Sequence, residues 1–101
     1  MAEARTELFV IARFHAREGQ EADVAAALRD VASPSREERG CLAIDAYRST
    51  RDPRLFYVHS RWVDEAAFET HAGLPHTVLF LERVAPLIDH QLEVTRARPI
   101  A

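Results

Sequence analysis

The sequence predicts an α+β fold of the ferredoxin-like kind, β-α-β-β-α-β, with an antiparallel sheet and helices on one face. Three observations lead there. Extended apolar segments alternate with segments whose apolar residues recur at helical spacing, in that order along the chain. The second and third extended segments are joined by Thr50-Arg51-Asp52-Pro53-Arg54, whose Asp and Pro favour a turn, so the two should form a hairpin. The 101 residues suffice for one domain with a real core, spanning about residues 7–97.

Glu7 to His15 opens the fold. Leu8, Phe9, Val10, Ile11 and Phe14 make a short apolar run, as suits a strand covered on both faces. Ala16 to Gly19 is a turn. From Gln20 the period changes: Val24, Leu28 and Val31, with Ala25, Ala26, Ala27 and Ala32, form an apolar stripe on a helix. Ser33-Pro34 restarts the chain, with Ser33 as N-cap, Pro34 in the first turn of a short second helix over 34–39, and Gly40 as its C-cap. Cys41 to Ser49 is the second strand, with Leu42, Ile44 and Ala46 on one face. Leu55 to Val63 is the third; Phe56, Val58, Ser60 and Trp62 share one face, and Tyr57, His59 and Arg61 the other. Asp64 caps a helix that reaches His71 and is stopped by Gly73 and Pro75. A further helix runs from Pro75 to about Leu87, where Pro86 bends or ends it. Gln91 to Ala97 is the last strand.

Composition narrows the classes. With 48% hydrophobic and 29% charged residues the chain is globular. A net charge of −3 argues against nucleic acid or an anionic membrane as partner. Cys41 is the only cysteine, so an intrachain disulfide and a thiolate cluster are excluded. The apolar runs are too short for a membrane span, and the first residues do not read as a secretion signal, so a cytoplasmic protein is expected. Helices cover only one face of the sheet, yet the first strand is apolar on both. The uncovered face, carrying Phe9 and Ile11, is therefore expected to pair with a second copy in an isologous homodimer.

The motifs Gly40-Cys41-Leu42, Tyr47-Arg48-Ser49, Asp52-Pro53, Arg61-Trp62-x-Asp64-Glu65-Ala66-Ala67-Phe68-x-x-His71 and Pro75-His76 resemble the antibiotic biosynthesis monooxygenase (ABM) domain family. The resemblance runs from about Glu7 to Arg96 and includes Gly19-Gln20-Glu21 at the first helix start. It implies a dimeric α+β barrel. It also implies cofactor-independent oxidation of a small phenolic, quinol or polyketide-type aromatic substrate by O2. The family also holds haem-degrading enzymes, an isomerase and members without known activity. Haem-degrading relatives carry Asn, Trp and His at the positions of Ala12, His71 and Leu81, and none of the three matches. Many relatives have Glu where Ser60 stands before Arg61-Trp62.

A cofactor-free oxygenase needs a substrate that itself reduces oxygen, a general base and a closed apolar pocket. His71 is the candidate base, because imidazole titrates near neutral pH. Val10, Phe14 and Phe80 are candidate pocket residues between sheet and helices. Trp62 either walls that pocket or packs in the core, and His76 either faces the pocket or is a helix-capping or solvent histidine. His59 should lie at the sheet–sheet interface; Arg13 and Arg48 are candidates for an anionic substrate group, and His15 and His90 receive no role. No metal is expected, because His71 and His76 lack i,i+4 spacing and no carboxylate completes a set with them in the sequence. The competing readings are a non-catalytic barrel that binds a small hydrophobic molecule, and a cofactor-free isomerase.

Overall fold

The computed structural model describes residues 6–101. Its elements follow the expected order: β1 (Leu8–His15), α1 (Glu21–Arg36), β2 (Cys41–Arg48), β3 (Leu55–Trp62), α2 (Glu65–Gly73), α3 (Pro75–Val84) and β4 (Glu93–Ala97), with a 3-10 turn over Ala85–Leu87 after α3. The four strands form one antiparallel sheet in the order β2-β3-β1-β4, which is the ferredoxin-like topology. No helix among the described residues is long and apolar enough to cross a membrane.

Register decides which side chains meet. Leu8 lies opposite Trp62, Val10 opposite Ser60, Ala12 opposite Val58 and Phe14 opposite Phe56, all on the helix-covered face. Two apolar clusters hold that face. Phe14, Val24, Leu28, Phe56, Val84 and Ile88 form one, between β1, β3, α1 and the end of α3. Leu8, Val10 and Trp62 form the other, against Ala67 and Phe68 of α2. The opposite face is mixed: Ile11, Tyr47, His59 and Arg61 are exposed there, and Phe9 and Tyr57 are half-buried. Arg61 lies over the Phe9 ring at 5.9 Å, and Tyr47 meets His59 edge-on at 5.2 Å. That face is therefore less apolar than the first strand alone suggests.

Three local expectations are corrected. The chain does not restart at Ser33-Pro34; α1 runs through Pro34 to Arg36. A proline forfeits one backbone hydrogen bond, and so near a helix end the loss is small against good packing. The last turn is anchored by Val31 and Ala32, both buried, and by Ser35, whose hydroxyl donates to the Val31 carbonyl at 2.7 Å. Gly40 is not a left-handed cap, since Gly19 (φ 86°) holds the positive φ found among the described residues. It is needed for space: a Cβ there would collide with the Ala67 side chain of α2. Gly73 does not stop α2 but is its last residue. The break is Leu74, extended at φ −73°, ψ 149°, as the residue before a proline favours.

Candidate functional site

Between the two apolar clusters β1 presents Ala12, and Ser35, Ser60 and Ala72 stand around the same gap. These side chains are too small to fill the space between sheet and helices. The result is a cavity of about 320 Å³, at the small end of the roughly 300–1,000 Å³ of ligand pockets. Val10 and Phe14 of β1 line its sheet side, Phe68 and His71 of α2 and Phe80 of α3 line its helix side, and Leu92, Val94 and Arg96 stand along the β4 edge. Arg96 is already held by Glu65 at 3.0 Å and Glu69 at 2.7 Å, and lies over the Phe68 ring at 5.0 Å.

His71 is placed by local sequence. Asp64 accepts a hydrogen bond from the Ala67 N–H at 2.8 Å and starts α2. Two turns later His71 is buried in the last turn of that helix. Its ring packs on Trp62, with centroids 4.5 Å apart, and on Phe68 at 5.7 Å. Nδ1 donates to Glu38 Oε2 at 2.7 Å, and Thr77 Oγ1 lies 3.3 Å from the same nitrogen. Nε2 has no hydrogen-bond partner among the described residues. No fully buried side-chain nitrogen or oxygen there lacks a partner. Nε2 is thus not sealed off from solvent, and the ring lines the cavity. In the neutral tautomer that donates from Nδ1, Nε2 carries the ring's free lone pair.

The structure separates the other candidates. Val10, Phe14 and Phe80 line the cavity with His71. Trp62 does not: it is fully buried behind His71, and its indole N–H donates to Ser60 Oγ at 2.9 Å. Ser60, standing where many relatives have Glu, thus holds the tryptophan. His76 lines a smaller neighbouring cleft of about 200 Å³, and its Nε2 donates to Glu38 Oε2 at 2.7 Å. Ala12, His71 and Leu81, the positions compared with haem-degrading relatives, all border the cavity. Arg48 stacks on Phe56 at 4.8 Å. Arg13 lies on the uncovered sheet face, opposite Tyr57 and Glu93.

Glu38 is the residue that sequence reasoning missed. The expectation that no carboxylate joins His71 and His76 is overturned: Oε2 of Glu38 lies between the two imidazoles. Its position two residues before Gly40, the glycine that lets α2 approach, was the only sequence signal available.

A second titratable cluster joins the end of β1 to the chain before β4. Nδ1 of His15 lies 3.0 Å from Asp89 and Nε2 lies 2.9 Å from Asp52; Arg54 reaches Asp89 at 3.0 Å, and His90 also contacts it. Hydrogen bonds to Asp89 and then Asp52 raise the His15 pKa above its ordinary value. The contact with His90, followed by that with His15, holds the Asp89 carboxyl down at about 2. The Arg54 backbone N–H, followed by His15, lowers Asp52.

Together these features define a ferredoxin-like α+β protein with a ligand-sized cavity between its layers and one imidazole in its lining. The family model for antibiotic biosynthesis monooxygenase matches residues 8–83, and the chain belongs to that family. A Mycobacterium tuberculosis protein named "Putative monooxygenase Rv0793" is 31% identical over 91 residues, covering 90% of this chain and 89% of that protein. The crystal structure of PA3566 from Pseudomonas aeruginosa matches with a TM-score of 0.88 at 31% identity, over 95% of this chain and 96% of that one. The structure of Rv0793 matches with a TM-score of 0.90 at 28% identity, over 95% and 97% of the two chains.

Proposed function

We propose that this protein is a homodimeric, cofactor-independent monooxygenase that oxidises a small phenol or hydroquinone with O2. The observation that carries the reading is His71, tied at Nδ1 to a carboxylate, unbonded at Nε2, and lining an apolar cavity. Membership of the family supports the reaction class. In this reading Nε2 takes the phenolic proton, and Glu38 stabilises the imidazolium that forms. The phenolate then gives electrons to O2. One oxygen atom enters the ring as a carbonyl and the other leaves as water, so the substrate supplies all four electrons. The aromatic walls contributed by Phe14, Phe68 and Phe80 give the reacting anion an apolar surround that limits its contact with water. A cavity of about 320 Å³ has room for a small aromatic substrate.

The test is oxygen uptake by protein stripped of metal and flavin, with a panel running from hydroquinones through naphthols to larger phenols. Saturable uptake that falls about 10²–10⁴-fold in His71→Ala is expected for loss of a general base. Undiminished turnover in that variant would remove His71 from the role. Tight binding without uptake would favour the binding module, and substrate conversion without oxygen consumption the isomerase.

A further inference from the structure

Two imidazoles and a carboxylate do not need to share one oxygen to be satisfied, because a carboxylate has two. Here His71 Nδ1 and His76 Nε2 both converge on Oε2 of Glu38, at 2.7 Å each. The three ligand-type atoms lie within 4.8 Å of one another. Each comes from a different segment: Glu38 from the turn after α1, His71 from the last turn of α2, His76 from the first turn of α3. The extended Leu74 between the two helices turns His76 toward His71, so their five-residue separation is no obstacle. The side chains of Glu38, His71 and His76 are only 10%, 11% and 27% exposed, unlike adventitious surface histidines.

We infer that Glu38, His71 and His76 form a binding site for a divalent transition ion of the zinc class. Two histidines and a glutamate are a known donor set for four-coordinate zinc, with the fourth place left to water or another oxygen. Zinc lies about 2.0–2.2 Å from nitrogen and oxygen ligands, so tetrahedral ligand atoms stand roughly 3.3 Å apart. To admit the ion the two 2.7 Å contacts open by roughly 0.6 Å, and the two nitrogens, now within 4.8 Å of each other, come to the same spacing by side-chain rotation. Thr77 Oγ1 lies 3.3 Å from His71 Nδ1 at the same junction. The ion and the protons on His71 Nδ1 and His76 Nε2 exclude one another, so binding weakens as the pH falls.

One consequence rests on the function proposed above. An ion on Nδ1 drives the His71 proton to Nε2, the edge that would accept the substrate proton. Zinc at this site is therefore an inhibitor of the base, not its helper. The binding itself is independent of that proposal and is measured without substrate.

The full chain, freed of metal by a chelator, is titrated with Co2+ and then with Zn2+ as competitor. The expected result is one ion per chain, with the intense visible bands of four-coordinate cobalt that zinc abolishes. His76→Ala and Glu38→Gln should each weaken binding at least about 100-fold, more than the loss of an outer-shell partner costs. His90→Ala, which alters the other histidine–carboxylate cluster, should leave binding intact. His76 is the most exposed of the three, so its variant keeps the test open if Glu38→Gln fails to fold. Absence of binding by the unaltered chain, retention of binding in His76→Ala, or loss in His90→Ala would overturn the inference.

Discussion

His15 is gripped at both ring nitrogens by carboxylates, and a ring so placed is fully satisfied only as the imidazolium. Its pKa is raised above 6.5 by Asp89 and then Asp52. The stability it contributes is therefore fully present below about pH 6.5 and is lost as pH rises through the folded-state value. Asp89, lowered from 3.8 to about 2, behaves oppositely: its contribution is present above about pH 3.8 and fades as pH falls toward 2. The cluster should thus stabilise most between those limits. Thermal melts of the unaltered chain and of His15→Gln check this. The variant's deficit should be largest near pH 5 and shrink by pH 9; an equal deficit at both would show that packing, not charge, holds the ring. Glu38 poses a different case, because one of its oxygens accepts from two imidazole N–H groups. Glu38→Ala should lower unfolding free energy by about 1–3 kcal/mol, the cost of stranding buried donors, as read by urea denaturation. None of this was legible in the sequence. His71 could be picked out as a titratable group on a helix, but Glu38 lies 33 residues earlier, and only the packing of the α1–β2 turn on α2 brings the two together.

At the scale of elements, the sequence was most legible where period and punctuation agreed. Asp64 caps α2, the Asp52-Pro53 turn joins β2 to β3, and Pro86 accompanies the change from α3 to a 3-10 turn. It misled where a punctuating residue was overruled by packing. Pro34 reads as a restart, yet the buried Ser35 and its bond to Val31 keep α1 helical past it. Gly40 reads as a cap, yet its work is contact between the α1–β2 turn and α2. That contact yields a prediction with an internal control. Gly40→Ala forces the new methyl into Ala67 and should cost about 1–3 kcal/mol, as overpacking does. Removing the opposing methyl restores the space. Gly40→Ala introduced into an Ala67→Gly background should therefore cost less than half as much as in the unaltered chain, by chemical denaturation. An equal cost in both backgrounds would mean that the glycine is kept for its backbone freedom instead.

At the scale of the whole molecule, a sheet covered on one face leaves the other to water or to a second copy. Alternation along β1 and β3 made both faces readable in advance, because side chains on a strand change face at every residue. Alternation already put His59 and Arg61 on the outer face; what it did not convey was their partners, Arg61 lying opposite Phe9 and His59 opposite Ile11 and Asp45 only once the register is known. Size decides how firmly such a face can dimerise. Three strands of eight residues and one of five, spaced about 4.8 Å apart and rising about 3.3 Å per residue, present roughly 460 Å² per subunit. Doubled, this stays just under the roughly 1,000 Å² below which specific interfaces become weak. One buried charge at its centre should then suffice to part the subunits. Ile11, 38% exposed on the middle strand β1 and opposite His59, is the position to change. Sedimentation equilibrium of the unaltered chain should give twice 11.4 kDa, and Ile11→Glu should give 11.4 kDa, with helix and sheet content retained by circular dichroism. A variant that stays dimeric would place the contact elsewhere, with the β4 edge next to the cavity as the surface to alter next.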